Sequence, residues 1–289
     1  MDGPGTPQVW HEDGPLGRWV SAQWRPGALA HAVSLLWSFD GALNMARERV
    51  FPDGSVELIV HLGARYRSVL EDRHRDGYPT LCFTGLRMQP EVVQAPAGRT
   101  TVVGVRLTPL GAQALLRGAH TEACGLTLDL HDVLGPMARA LADALADARG
   151  PLGQLRAAAR WVAARLREAA PVDPAVRWVY EQIMATRGCA PIGTLCERAG
   201  VSPTKLPARF RALVGVTPKQ FARIARFRHA LALLGAPSAS PLLADVAAQA
   251  GYVDQPHFNA EFRALAGMSP GAYLHALRYP NSASLAEAA

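Results

Sequence analysis

Phe210-Arg211-Ala212-Leu213-Val214-Gly215-Val216-Thr217-Pro218-Lys219-Gln220-Phe221 returns 52 residues later as Phe262-Arg263-Ala264-Leu265-Ala266-Gly267-Met268-Ser269-Pro270-Gly271-Ala272-Tyr273. Six of the twelve positions are identical, and Thr217/Ser269 and Phe221/Tyr273 are close replacements. Self-similarity of this kind marks a duplicated structural unit. Each copy follows the same plan. In the first, Ile192, Leu195 and Ala199 form an apolar helix face that stops at Gly200, where the chain must turn left-handed. Ser202 caps a second helix with Pro203 at its first position, and Leu206, Phe210 and Leu213 fall on one stripe. In the second, Leu242, Leu243, Val246 and Ala250 precede Gly251, Asp254 caps, and Phe258, Phe262 and Leu265 repeat the stripe. Helix, glycine turn, helix is the helix-turn-helix plan, in which the second helix enters the major groove of DNA.

Between the copies, Thr217-Pro218 starts a helix running from Lys219 to about Leu234, with Arg223, Arg226 and Arg228 among its apolar positions. One stiff rod joining two reader helices sets them about one DNA turn, roughly 34 Å, apart, or else the DNA must bend.

Charge is consistent with this plan. The net charge of +6 is not evenly spread: residues 1–174 hold 18 basic and 18 acidic side chains, and residues 175–289 hold 12 and 6. Within 177–228 there are 10 basic residues against Glu181 and Glu197. A basic block confined to one segment suits a polyanionic partner, because binding releases the counterions of its phosphates. Segment 229–289, with two Arg against four acids, adds little attraction.

The first hundred residues read as β-rich. Apolar or aromatic runs at 18–24, 31–39, 55–62 and 100–107 are separated by Gly, Pro and Asp punctuation, which fits a small barrel or sandwich. The run 56–62 is apolar enough for a strand covered on both faces. From Thr108-Pro109 the texture turns helical, and stretches 136–149 and 151–169 read as a helical hairpin. The hairpin is suited to packing on the barrel or to holding a second copy in a homodimer. Pro171 and Pro174 break the helix and mark a boundary. The expected fold is α+β in two domains. Residues 1–171 form a β-barrel- or sandwich-like effector-binding or dimerisation domain with a helical hairpin. Residues 172–280 form an all-α double helix-turn-helix domain, with units at about 191–214 and 241–266 and the linker helix at about 218–234.

The C-terminal residues resemble the AraC/XylS family of bacterial transcription regulators. The resemblance runs through Gly251-Tyr252, Asp254-Gln255, His257-Phe258, Glu261-Phe262-Arg263, Gly267, Ser269-Pro270 and Tyr273, and covers roughly 172–278. It implies a one-component, sequence-specific DNA-binding regulator in the cytoplasm, with double-stranded DNA and RNA polymerase as partners. It also implies a front domain, often a β-barrel, that binds a small-molecule effector; the stretch 47–58 is similar to one such domain. Base-reading positions of the family match Thr204, Pro207 and Ala208 in the first unit, of which only Thr204 can hydrogen-bond and Ala208 can touch a thymine methyl. Pro207, as a fifth helical residue, should kink its helix. Lys205, Arg209 and Arg211 are then the phosphate contacts of that unit, and Thr217 and Lys219 lie at the start of the rod. In the second unit Gln255, His257 and Asn259 are the readers, with Arg263 for phosphate and Ser269 beside it; Ala260 replaces a polar or basic reader of many relatives.

Other chemistry is not signalled. No apolar run is long enough to span a bilayer and no secretory signal is visible. His11, His31, His61 and His74 lack the spacing of metal ligands, and Cys82, Cys124, Cys189 and Cys196 are too scattered for a metal site or a disulfide framework. No catalytic constellation is present, so neither an enzyme nor a cofactor is expected. Trp19, Trp24 and Trp37, with Arg47, Arg49 and Arg106, are candidate walls of an effector cavity for a small, anionic molecule. The alternative function is an interaction protein whose degenerate helix-turn-helix pair contacts RNA polymerase or another regulator.

Overall fold

The computed structural model describes residues 5–44, 47–70, 74–116, 118–167, 172–236 and 242–278. Pro171, where the sequence places the boundary, lies outside these residues, as do 168–170, position 241 and the stretch from 279 onward.

The front of the chain forms two antiparallel sheets. The strands are β1 (Gln8–Gly14), β2 (Gly17–Trp24), β3 (Val33–Leu43), β4 (Arg47–Val50) and β5 (Val56–His61). They continue with β6 (Arg67–Ser68), β7 (Leu81–Thr84), β8 (Glu91–Gln94), β9 (Arg99–Leu107) and β10 (Thr127–Asp129). Seven strands pair in the order β1-β2-β3-β9-β5-β7-β10, and three in the order β4-β8-β6. Side-chain alternation divides the large sheet into two working faces. On β5, Val56, Leu58 and Val60 are buried in the core, whereas Glu57, Ile59 and His61 line an interior cavity. The apolar look of this strand thus has its expected cause, cover on both faces, but one cover is a hollow. On β3 the indole of Trp37 lies against Gly104 of β9, its register partner, where any side chain would collide with the ring.

Helices close the core face. They are α1 (Pro109–Leu116), α2 (Ala119–Glu122), α3 (Leu130–Leu134), α4 (Pro136–Ala146) and α5 (Gly150–Leu166). The α4–α5 hairpin packs onto the barrel: α5 lies on β2 and β3 and buries Leu155, Ala158 and Val162. Buried Ser38 donates to Gln154 Oε1 at 2.7 Å, which satisfies both polar groups inside this interface.

The C-terminal part is all helical: α6 (Pro174–Ala185), α7 (Ile192–Ala199), α8 (Leu206–Val214), α9 (Pro218–Leu234), α10 (Leu243–Gln249), α11 (Gln255–Ala266) and α12 (Pro270–Arg278). Asp173 caps α6 by accepting from the N–H groups of Ala175 and Val176. Gly200, Gly215 and Gly267 end α7, α8 and α11 with positive φ angles of 64°, 93° and 69°, a conformation that other residues reach only with strain. The rod α9 starts in a reciprocal cap: Gln220 N–H donates to Thr217 Oγ1, and Thr217 N–H donates to Gln220 Oε1 at 2.9 Å. Among the described residues no helix is long and apolar enough to cross a membrane.

The hydrophobic core crosses the domain plan. Phe221, Ala222, Ile224 and Ala225 of α9 join α6–α8 in a core continuous with the barrel. Phe227, Ala230 and Leu234 of the same helix instead join α10–α12, with Phe51 from the front domain packed against them. One rod therefore nails two separate units together, each buried large side chain contributing about 1.5–3 kcal/mol.

Regular helix in α8 runs from Leu206, but the helical turn starts earlier: the Leu206 N–H donates to the Ser202 carbonyl at 3.0 Å, Lys205 is already helical, and Pro207 falls where the next bond of that ladder, to Pro203, would form. Ser202 opens that turn, bonding the N–H and the hydroxyl of Thr204. Leu242, expected on an apolar face, is the residue before α10 and is 70% exposed.

Candidate nucleic-acid interface

The two reader helices, α8 and α11, show the same polarity. Their stripes Leu206/Phe210/Leu213 and Phe258/Phe262/Leu265 are buried, which turns the other side of each helix to solvent. On α8 and just before it, Thr204, Lys205, Ala208, Arg209 and Arg211 are exposed. On α11, Gln255, His257 and Arg263 are exposed, while Asn259 is half-buried and its Oδ1 has no partner among the described residues. Asp254 accepts from the His257 N–H at 2.7 Å, which fixes the first turn of α11. Lys219 is exposed at the start of α9.

Several of the expected contacts have prior engagements. The Arg209 guanidinium donates twice to Asp173 Oδ2, at 2.9 and 2.6 Å, so this phosphate candidate is held by the cap of α6. Asp173 titrates below the usual carboxylate range: burial pushes it up, but the Arg209 bonds and charge and the cap N–H groups outweigh that. Thr217 and Ser269 spend their hydroxyls on the first turns of α9 and α12. The hydroxyl of Thr204 is bonded to that of Ser202 at 2.7 Å.

Part of the basic block is internal. Arg223 makes a two-point ion pair with Glu261 of α11 at 2.6 and 3.0 Å. Arg226 donates to the Gly188 carbonyl at 2.8 Å and lies 5.8 Å from the centre of the Tyr252 ring. Arg223 fixes the second unit on the rod, and Arg226 ties the rod both to the turn before α7 and to Tyr252, uses that a charge count cannot distinguish from phosphate binding.

The front domain holds the C-terminal ends of both α8 and α11. His120 of α2 bonds the Leu213 carbonyl at 2.8 Å, and Gly215 faces Thr121 and Cys124. In the second unit Arg49 of β4 approaches the Ala266 carbonyl at 3.4 Å, and Gly267 faces Arg49 and Pro90. Phe51 stacks edge-on with Phe227 and Tyr273, at 6.1 and 5.8 Å between ring centres. Leu213 and Ala266 sit in the last turns of the duplicated stripe, so the readers are gripped at related ends.

The expected effector residues divide. Trp19, Trp37 and Arg106 line a cavity of about 540 Å³ inside the front domain. Trp24 does not; its indole N–H donates to the Gly5 carbonyl at 3.0 Å. Arg47 and Arg49 do not either, because on β4 the alternate residues Glu48 and Val50 face the cavity. Period-two alternation was the available signal, and it applies once β4 is known to be a strand. Arg106 lies between Glu57 and Asp53, each at 3.3 Å, and Trp37 donates to Glu57 at 2.6 Å. His61 and His74 bond the carbonyls of Pro79 and Thr127, and among the described residues no group of three His, Cys, Asp or Glu side chains could hold a metal ion. All four cysteines are free thiols, and Cys196 is buried in the core as packing.

Residues 195–276 match the family model described as a helix-turn-helix domain, over both units and the rod between them. The C-terminal region is an AraC-type helix-turn-helix domain. Domains of this type are the DNA-binding part of transcription regulators. Residues 26–126, most of the front sheet, match a domain of unknown function (DUF6597). No curated protein matches the chain. Among solved structures, the C-terminal domain of AraT, a response regulator from Geobacillus stearothermophilus, is 23% identical over 37% of this chain and 88% of its own, with a TM-score of 0.34. A probable AraC family transcriptional regulator from Rhodopseudomonas palustris CGA009 is 28% identical over 36% of this chain and 98% of its own, with a TM-score of 0.33. An apo ToxT variant from Vibrio cholerae strain SCE256 is 12% identical over 84% of this chain and 97% of its own, with a TM-score of 0.47. Ala208 and Ala260 are small and exposed on α8 and α11.

Proposed function

We propose that the chain is a one-component transcriptional regulator that reads duplex DNA with α8 and α11 and is controlled by a small molecule in the front-domain cavity. The observation that carries this reading is the shared arrangement of α8 and α11: a polar and basic side open to solvent along each helix, with the C-terminal end held by the front domain. Lys205, Arg211, Lys219 and Arg263 supply phosphate contacts, and Thr204, Gln255 and His257 meet base edges. The small side chains of the first unit make its contribution mostly electrostatic. Control follows if a ligand favours one arrangement of the front domain over another, since the grip on both readers changes with it.

Fluorescence anisotropy of the full chain on duplex DNA at two salt concentrations tests the reading. Lys205→Ala and Arg211→Ala should each weaken binding to every sequence and flatten the logarithmic salt slope by about 1. Unchanged affinity and slope in both variants would overturn the assignment. Salt-independent binding of the parent protein would instead favour a helical interaction module directed at RNA polymerase or another regulator.

A further inference from the structure

Strand β4 separates the cavity from the DNA-reading part of the molecule. Glu48 and Val50 line the cavity, Arg49 points to the end of α11, and Phe51 packs among Phe227 and Tyr273. The charges around the cavity do not balance. Arg87 is paired with Glu91 at 2.8 Å, and Arg106 with Glu57 and Asp53. Glu48 has no hydrogen bond or ion pair among the described residues, and the charge it feels is that of Glu57, a second carboxylate. Its side chain is accessible, opening onto the hollow beside Val50, and the surrounding protein and then Glu57 push its carboxyl above the usual range. Reachable from the hollow and set against a second carboxylate, it is a place where a cation that displaces its water gains. The walls favour a cation with an organic shell, because Trp19, Trp37 and Tyr66 present aromatic rings, whose faces attract positive charge. A hollow of about 540 Å³ is the size of a small-molecule site.

We propose that this cavity takes an organic ammonium ion, with Glu48 as its counter-ion and Trp19, Trp37 and Tyr66 as its walls, and that occupancy is passed along β4 to the end of α11. This deepens the effector-control reading and rests on it. It reverses the sign of the ligand expected from the sequence, where Arg47, Arg49 and Arg106 suggested an anion; of these Arg106 lines the cavity, and Glu57 and Asp53 already hold it. A neutralised Glu48 no longer repels Glu57, and any movement of β4 carries Arg49 and Phe51 with it.

The test is calorimetric titration of the full chain, without DNA, with benzyltrimethylammonium, tetramethylammonium and phenylacetate. Saturable binding of benzyltrimethylammonium is expected, with phenylacetate weaker by tenfold or more. Glu48→Gln should cut the ammonium affinity at least tenfold without lowering the melting temperature, since it removes a repulsion rather than a bond. Absence of ammonium binding, equal affinity in Glu48→Gln, or preference for phenylacetate overturns the site. Hydrogen exchange at 263–267 reads the transmission: protection there should change on adding the ammonium to the parent and not to Glu48→Gln, and unchanged exchange in the saturated parent overturns that half. Neither measurement uses DNA, so a protein that binds the ammonium yet never binds duplex would refute the regulator reading alone.

Discussion

His120 Nε2 stands 2.8 Å from the carbonyl oxygen of Leu213, so the front domain caps the last turn of the first reader helix. A carbonyl only accepts, so Nε2 carries the proton, and the other ring nitrogen, Nδ1, is buried without a partner. Burial holds the imidazole below its ordinary pKa, with the Leu213 bond offsetting part of that effect. The released ring titrates near 6.5, so at lower pH the undocked state binds the extra proton more readily than the docked one. The contact is at full strength above that value and is lost as pH falls through the lower, docked pKa. Protection of the amides at 211–215, taken relative to their intrinsic exchange at each pH, should therefore fall on acidification below about pH 6.5. His120→Phe, which keeps bulk and cannot donate, should abolish that pH dependence and destabilise the interface by about 1–3 kcal/mol. A pH profile identical in the variant would remove His120 from the docking contact.

Asp173 competes with DNA for Arg209. The pair is partly exposed, with 43% and 30% of the two side chains accessible, so the competition is between surface interactions of similar strength. Asp173→Asn keeps the oxygen that caps α6 and removes the charge that holds the guanidinium. The variant should bind duplex DNA more tightly, with a salt slope steeper by about 1, as one more phosphate contact becomes available. Its melting temperature should change little. An unchanged slope would mean that Arg209 does not reach the backbone even when released.

Pro207 tests where the first reader helix begins. The Leu206 N–H closes a helical turn onto the Ser202 carbonyl at 3.0 Å, so an N–H at position 207 would extend that ladder by one bond, to Pro203. Pro207→Ala should then stabilise the protein, by up to about 3 kcal/mol, whereas a proline with no bond to lose would leave stability within about 1 kcal/mol. Thermal unfolding of the two proteins distinguishes the positions.

The duplicated stripe made the two units legible from the chain alone, because Phe210 and Phe262 recur with the glycines that end their helices, and local spacing determines both. Strand positions in the front domain were legible for the same reason, from alternation broken by Gly and Pro. Partners distant in sequence were not. Arg223 meets Glu261 across 38 positions, and nothing in the local pattern separates a rod arginine bound for a carboxylate from one bound for phosphate. The cavity was half visible: Trp19, Trp37 and Arg106 were found, while Glu48 was passed over for the arginines on either side. Which residues of a short strand face inward depends on its partner sheet, and β4 pairs with β8, more than forty residues away. The continuity of the barrel core with the first unit was equally hidden, since α1, α2 and α8 meet only in three dimensions.

The Arg223–Glu261 pair is the staple between rod and second unit, with 29% and 20% of the side chains accessible. Its two bonds require a planar guanidinium, so Arg223→Lys should be poorly tolerated. A double-mutant cycle with Glu261→Gln should give a coupling energy of about 0.5–3 kcal/mol. The loss should appear as faster exchange in α10 and α11 with α7 and α8 unaffected, because the two units have separate cores. Additive effects, or loosening of both units together, would refute the staple.

Gly104 sets the shape of the cavity wall. A methyl group at this position would fall inside the Trp37 indole, and the backbone of a central strand cannot retreat, so the ring must swing away. Swinging it breaks the 2.6 Å bond to Glu57, leaving that carboxylate with Arg106 alone. Gly104→Ala should destabilise the protein by about 1–3 kcal/mol, the cost of driving the indole from its place on the strand and leaving its bond to Glu57 unmade. It should also shift the tryptophan emission as Trp37 changes environment, and a Trp37→Phe background should erase that shift. Retention of both the melting temperature and the emission maximum in Gly104→Ala would show that the indole does not lie across the strand at this point.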